Sequence, residues 1–167
     1  MKRIIAAILL SINFLAVSGC GTRVFHYEIR QDRNRIEKVE ICSFDYYNNC
    51  TIEPLVSLSE NEIDMFLSDI SSMECYDTPF VIDPILDYGD IIACITYSDG
   101  EVEVIGPYNI GYIAPNGELA TTTYNFDKLE IRSLFLKFID ADIILKASCE
   151  PEWWLGLPPY NFGDSNP

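Results

Sequence analysis

The sequence predicts an α+β fold: a twisted antiparallel sheet, built from a hairpin and a meander, with two amphipathic helices packed on one face. Three observations carry this expectation. Two β-rich runs flank Asp99-Gly100 in "DIIACITYSDGEVEVIG", a dipeptide suited to a tight type I′ turn. Two segments, opening at Ser59 and Asp127, share the same helix-start grammar. Strand-like runs also follow one another directly, whereas a parallel sheet needs a helical crossover between each pair of strands.

Taken in order, "TRVFHYEIRQ" and "NRIEKVEICSF" alternate polar and apolar residues, the period of a half-buried strand. Asp32 to Asn34 between them predicts a hairpin. "DYYNNCTIEP" is rich in turn formers and reads as a loop. In "SLSENEIDMFLSDISSM", Ser59 and Glu62 are spaced for a capping box, with Leu58 and Ile63 as the hydrophobic staple. Ile63, Phe66, Leu67 and Ile70 then line one helical face. After the Asp99-Gly100 hairpin, "YNIGYIA" and "ELATTTYN" continue the meander, separated by Pro115-Asn116-Gly117. Asp127 and Glu130, with Phe126 and Ile131 as staple, open a second helix whose buried stripe is Ile131, Leu134, Phe135 and Phe138.

The amino terminus gives the chain an address. Lys2 and Arg3 precede an apolar run from Ile4 to Val17, and small residues lead to Cys20, which is the pattern of a secretion signal. Val17-Ser18-Gly19-Cys20 resembles the lipobox of bacterial lipoproteins, in which the cysteine is acylated and becomes the first mature residue. That resemblance implies lipidation at Cys20, palmitate-type acyl chains, and a position on the outer face of a bacterial cell membrane. Two or more acyl chains supply the stable anchoring that one chain cannot. The expected organisation is a signal peptide over 1–19, one α+β domain over 20–145, and a Pro/Trp-rich tail over 146–167.

The full chain has a net charge of −15. Without residues 1–19, nine basic residues face 26 acidic ones, a balance of −17. Such a surface repels phosphate backbones, so nucleic-acid binding is not expected. Nearly half the residues are hydrophobic, enough apolar surface to offset chain entropy, so the acidity is not a sign of disorder.

Five cysteines follow Cys20: Cys42, Cys50, Cys75, Cys94 and Cys149. Export would expose them to an oxidising compartment. An odd number leaves at least one unpaired within the chain. The pairs to test first are Cys42 with Cys50 and Cys75 with Cys94, and reduced, buried thiols are the alternative.

Chemistry-bearing patterns are sparse. Asp77, Asp83, Asp87 and Asp90 gather in "YDTPFVIDPILDYGD", where carboxylates and backbone carbonyls suit a hard cation such as calcium. Their spacing does not match an EF-hand, and aspartates also start turns by bonding local backbone. The single histidine, His26, sits on the first strand-like run, and no G-x-S-x-G or glycine-rich phosphate loop is present. No catalytic residues are therefore assigned, and an enzyme is not expected. Aromatic residues are better candidates for contact: Tyr46, Tyr47, Tyr108, Tyr112, Trp153 and Trp154, since tyrosine and tryptophan dominate binding hot spots. Trp153 and Trp154 equally suit a cover over the core.

From about Tyr76 to Asp140 the chain resembles a family of small uncharacterised lipoproteins of Gram-positive, largely gut-dwelling Firmicutes. The residues carrying the likeness are Tyr76-Asp77-Thr78-Pro79, Tyr88-Gly89-Asp90-Ile91, Ile95 to Gly100, Ile105-Gly106-Pro107-Tyr108-Asn109 and Tyr124-Asn125-Phe126-Asp127. The resemblance implies a fold and a location. The expected function is a surface-tethered, non-enzymatic binding module for a protein or cell-envelope partner. An envelope enzyme or regulator with a calcium-dependent acidic loop is the alternative, and a structural envelope component is a third.

Overall fold

The computed structural model describes residues 23–45, 51–77, 91–107, 110–122, 124–148 and 151–156. The architecture is mixed α+β, with two antiparallel sheets rather than one. The larger has six strands in the order β3-β2-β5-β6-β7-β8: β2 is Ile36–Asp45, β3 Thr51–Ser57, β5 Ile91–Tyr97, β6 Val102–Ile105, β7 Ile110–Ile113 and β8 Leu119–Thr121. The smaller has β1 (Arg23–His26), β4 (Glu74–Asp77) and β9 (Tyr124–Phe126), with β4 in the middle.

The expected β1–β2 hairpin does not form. β2 is already bonded on both sides, to β3 and β5, and has no free edge to offer. β1 pairs instead with β4, placing Phe25 opposite Cys75. The loop expected over Asp45–Pro54 is shorter, because Thr51 to Ser57 form an edge strand. Pro54 is tolerated there, since an edge strand has one side without ladder bonds, and the register slips opposite it between Ile41 and Cys42. "ELATTTYN" divides into β8 and β9, which belong to different sheets. The crossing point is Thr122, whose amide and hydroxyl both donate to the Ile110 carbonyl at 2.9 Å.

The meander forms as expected, with a different turn at Asp99-Gly100. Ser98-Asp99-Gly100 is a three-residue connection: Gly100 N–H donates to Tyr97 O, Tyr97 N–H donates to Glu101 O, and Gly100 has φ +82°. This is a type I turn closed by a left-handed residue. Pro115-Asn116-Gly117 repeats it, with Gly117 at φ +84°. In each, the Asp99 or Asn116 side chain accepts from the amide two residues on, at 3.1 Å. That local bond explains the choice of Asp and Asn.

Both expected helices are present. α1 is Glu60–Ser72. Its Ser59 amide and hydroxyl donate to the Glu62 carboxylate at 2.8 and 2.6 Å, which holds that carboxyl below its usual range. α2 is Lys128–Phe135, capped by Asp127, whose Oδ1 accepts from the Leu129 and Glu130 amides. Two further short helices follow, α3 (Ala141–Ala147) and α4 (Pro151–Leu155). Pro151 stands where a missing amide costs nothing. Ile144 and Trp154 both belong to the core.

That core lies between the helices and one face of the large sheet. Val39, Ile41, Ile91, Ala93, Ile95, Ile105 and Ile110 meet Ile63, Phe66, Ile70, Ile131, Leu134 and Phe135. Phe66 contacts Phe135 and Phe138, and Phe135 stacks on Trp154 with centroids 5.7 Å apart. Phe126 of the small sheet closes against Tyr27 at 5.3 Å. Among the described residues, no helix is long and apolar enough to cross a membrane.

Candidate functional site

Alternation along the large sheet gives its second face a character of its own. Residues between the core-facing ones point away from the helices: Cys42 and Phe44 on β2, Ile92 and Cys94 on β5, Val102 and Val104 on β6. With Ile52, Ile113 and Leu119 they form a second apolar cluster, to which no described helix contributes. Cys42, Ile92, Cys94 and Val104 are buried at its centre, and the flanking residues are half-exposed. Lys38 and Glu40 share the face and pair with each other at 2.7 Å. The five spacings between six strands, at roughly 4.8 Å each, span about 24 Å.

Strand ends add to this surface. The described chain leaves the large sheet at Asp45 and Ile105 and re-enters it at Thr51, Ile91 and Ile110. Register places these five positions at one end of the sheet. Tyr46, Tyr47 and Tyr108 belong to the intervening segments and lie outside the described residues, as do Cys20 and Cys50.

The core-facing side holds a polar feature that the sequence reading missed. Glu103 is a carboxylate only 1% exposed. Tyr27 Oη donates to its Oε1, Tyr97 Oη donates to Oε2 at 2.5 Å, and the Arg30 amide donates to Oε2 at 3.1 Å. Both oxygens act as acceptors, the pattern of an ionised carboxylate. Three donors offset its loss of water. Burial, together with this carboxylate, drives the Tyr27 and Tyr97 hydroxyls far above their ordinary range. The arrangement seals Glu103 and offers no proton to solvent. Its work is to pin the Tyr27–Gln31 segment onto the sheet. Alternation in "EVEVI" sets Glu103 with Glu101 on the polar side of the strand, so the sequence carries no sign of its burial.

Pinning this segment places Arg30. Its guanidinium bonds Glu101 at 2.7 Å and lies over the Tyr112 ring, 4.0 Å from the centroid. Tyr112 is thus half-buried with one face already engaged. Beside it, a cleft of about 570 Å³ runs between residues 27–33 and α1, and the Arg33–Asp64 ion pair lies at its wall.

Other expected site residues are dispersed. Trp154 is 1% exposed and stacked in the core, so it covers Phe135 rather than presenting a contact surface. Trp153 is half-buried, edge-on to Trp154, and its carbonyl accepts from Arg132 at 2.8 Å. Cys42, Cys75 and Cys94 are free thiols. The expected Cys75–Cys94 pair is corrected: Cys75 faces the main core, whereas Cys94 lies in the second cluster across the sheet. Burial pushes the Cys75 thiol up to about 11. Asp77 ends β4, half-buried, while Asp83, Asp87 and Asp90 lie outside the described residues. Among the described residues, no three His, Cys, Asp or Glu side chains gather as metal ligands do. His26 is exposed on β1, opposite Glu74.

Compared with protein-family models, with curated proteins and with solved structures, the chain finds no match.

Proposed function

We propose that the chain is a lipid-anchored module at the outer face of a bacterial cell membrane, tethered through Cys20, that holds a protein or cell-envelope partner. The observation that carries this reading is the second apolar cluster, on a sheet face that receives no described helix. Half-exposed Phe44, Ile52, Val102, Ile113 and Leu119 with the Lys38–Glu40 pair on the same face resemble the anatomy of an interface, apolar inside and polar at the edge. Tyr46 and Tyr47 follow Asp45 in the chain and Tyr108 follows Pro107, and we assign these tyrosines as aromatic contact residues. The charge of −17 without residues 1–19 favours a partner whose rim is basic.

The test is cross-linked capture from native cell envelope, with the full chain in detergent as bait. Ile52→Asp and Leu119→Asp place charges at half-exposed positions on the edge strands of the face. One saturable partner is expected, with capture reduced at least about tenfold in these variants and in the Tyr46→Ala/Tyr47→Ala/Tyr108→Ala chain. Equal capture by variants with unchanged melting temperature, or no partner above background, overturns the reading.

A further inference from the structure

β1 opens at Arg23, only three residues beyond Cys20. Three residues reach at most about 11 Å. The polar layer on each side of a bilayer is roughly 5–8 Å deep, half the difference between about 40–45 Å overall and about 30 Å of hydrocarbon. An acylated Cys20 therefore leaves β1 almost no room to stand clear of the headgroups.

Register defines what occupies that end of the small sheet. Arg23, Asp77 and Tyr124 form one row across β1, β4 and β9, which puts Tyr124 two strand spacings, about 10 Å, from Arg23. The Tyr124 residue is 36% exposed, and its ring meets Phe25 of β1 edge-on with centroids 5.0 Å apart. Val24, next along β1, is 53% exposed. Single exposed apolar residues are ordinary on a protein surface. What distinguishes these two is their nearness to the acylated residue. Charge agrees with that placement. No Asp or Glu occurs from Cys20 to Tyr27, Arg23 offsets Asp77 within the row, and Glu74 lies at the other end of β4, opposite His26. An otherwise acidic molecule thus has a neutral row of side chains where the anchor joins it.

We propose that this end of the three-stranded sheet is a lipid-contact surface, with Val24 and Tyr124 seated in the headgroup layer and the Arg23 guanidinium on lipid phosphate. The proposal rests on acylation of Cys20 and adds the surface that the short tether holds against the membrane. Tyrosine suits the interface, with an apolar ring and a polar hydroxyl, and a guanidinium matches phosphate with paired donors. Anionic headgroups repel the acidic remainder of the domain and turn it outward.

The experiment places the acylated full chain, purified from cells in detergent, in vesicles of phosphatidylcholine and phosphatidylglycerol, with and without bromine on the acyl chains. Bromine quenches the emission of an indole close to it. Val24→Trp and Tyr124→Trp each add an indole at the sheet end. Leu129→Trp is the comparison: Leu129 is 60% exposed and shares a groove with Ser72 and Met73, beyond the far end of β4. Met73 is four residues, about 13 Å of strand, from Asp77. Emission is read as the difference from wild type, which carries Trp153 and Trp154. Brominated lipid should remove most of the added emission at 24 and 124 and spare that at 129. Equal quenching at all three positions, in chains of unchanged melting temperature, overturns the proposal. Flotation separates it from the anchor reading. A chain that does not float with the vesicles overturns both, whereas one that floats with the indoles at 24 and 124 unquenched overturns the contact surface alone. A Gly/Ser insertion of about 20 residues after Gly21, spanning about 25 Å on average, should bring quenching at 24 and 124 down to that at 129 while flotation persists. Undiminished quenching in that chain overturns the part given to the short tether.

Discussion

Replacing Tyr97 by phenylalanine tests the buried carboxylate directly. The ring keeps its place and volume, so no cavity opens, and only the hydroxyl that donates to Glu103 Oε2 at 2.5 Å is lost. A hydrogen bond to a charged group is worth about 1.5–3 kcal/mol. Glu103 retains Tyr27 and the Arg30 amide, which sets the expected loss at pH 7 at about 2 kcal/mol. Alkaline pH supplies a second reading of the same site. Tyr97 and Tyr27 hold their protons in the folded state above the value near 10 at which unfolded tyrosine loses its own. Above that pH the unfolded chain binds fewer protons than the folded one, so stability falls as pH rises. The stabilisation is fully present below about pH 10. Each such tyrosine contributes a slope of about 1.4 kcal/mol per pH unit above it. Tyr97→Phe should therefore be less stable at neutral pH and yet lose stability more gently in alkali, its slope shallower by about that amount. Urea melts at pH 7 and at half-unit steps from 9 to 11.5 measure both. A neutral loss under about 0.5 kcal/mol, or parallel alkaline slopes, would refute the reasoning.

Trp154→Ala should cost about 3–5 kcal/mol, the range for truncating a large buried aromatic, because the indole stacks on Phe135 within the core. A fall in melting temperature of only a degree or two would return Trp154 to the surface role that its sequence context also allowed. At the other end of the chain, metabolic labelling with a fatty acid should mark the wild type and not Cys20→Ser, which should leave the membrane fraction. An unlabelled wild type, or a variant that still sediments with membranes, would sink the anchor.

What could be read along the chain was whatever short-range chemistry fixes. Ser59 and Glu62 bond each other within one turn, and Asp127 bonds amides two and three residues away. Neither needs the rest of the protein. The glycines of the two meander turns are likewise demanded locally, by left-handed backbone at Gly100 and Gly117. Even there the turn type was misjudged, because Asp99-Gly100 fits both a two-residue and a three-residue connection. The amphipathic stripes of α1 and α2 follow from helical periodicity alone, and both stripes enter the core as expected.

Pairing over distance was decided elsewhere. Alternation in "TRVFHYEIRQ" predicts a strand and says nothing of its neighbour. Only the occupation of both β2 edges sends β1 to β4 and makes two sheets. Glu103 reads as an ordinary surface charge until residues 76 and 6 positions away close over it as Tyr27 and Tyr97. Cys42 and Cys94 come to share one face for the same reason: the register between β2 and β5 is set by which face of each strand is buried. The sequence by itself determined the α+β class, the helix starts, the turn positions and the acidity. Tertiary structure decided which side chains meet, because a contact between distant residues depends on strand order and register, quantities that no local pattern encodes.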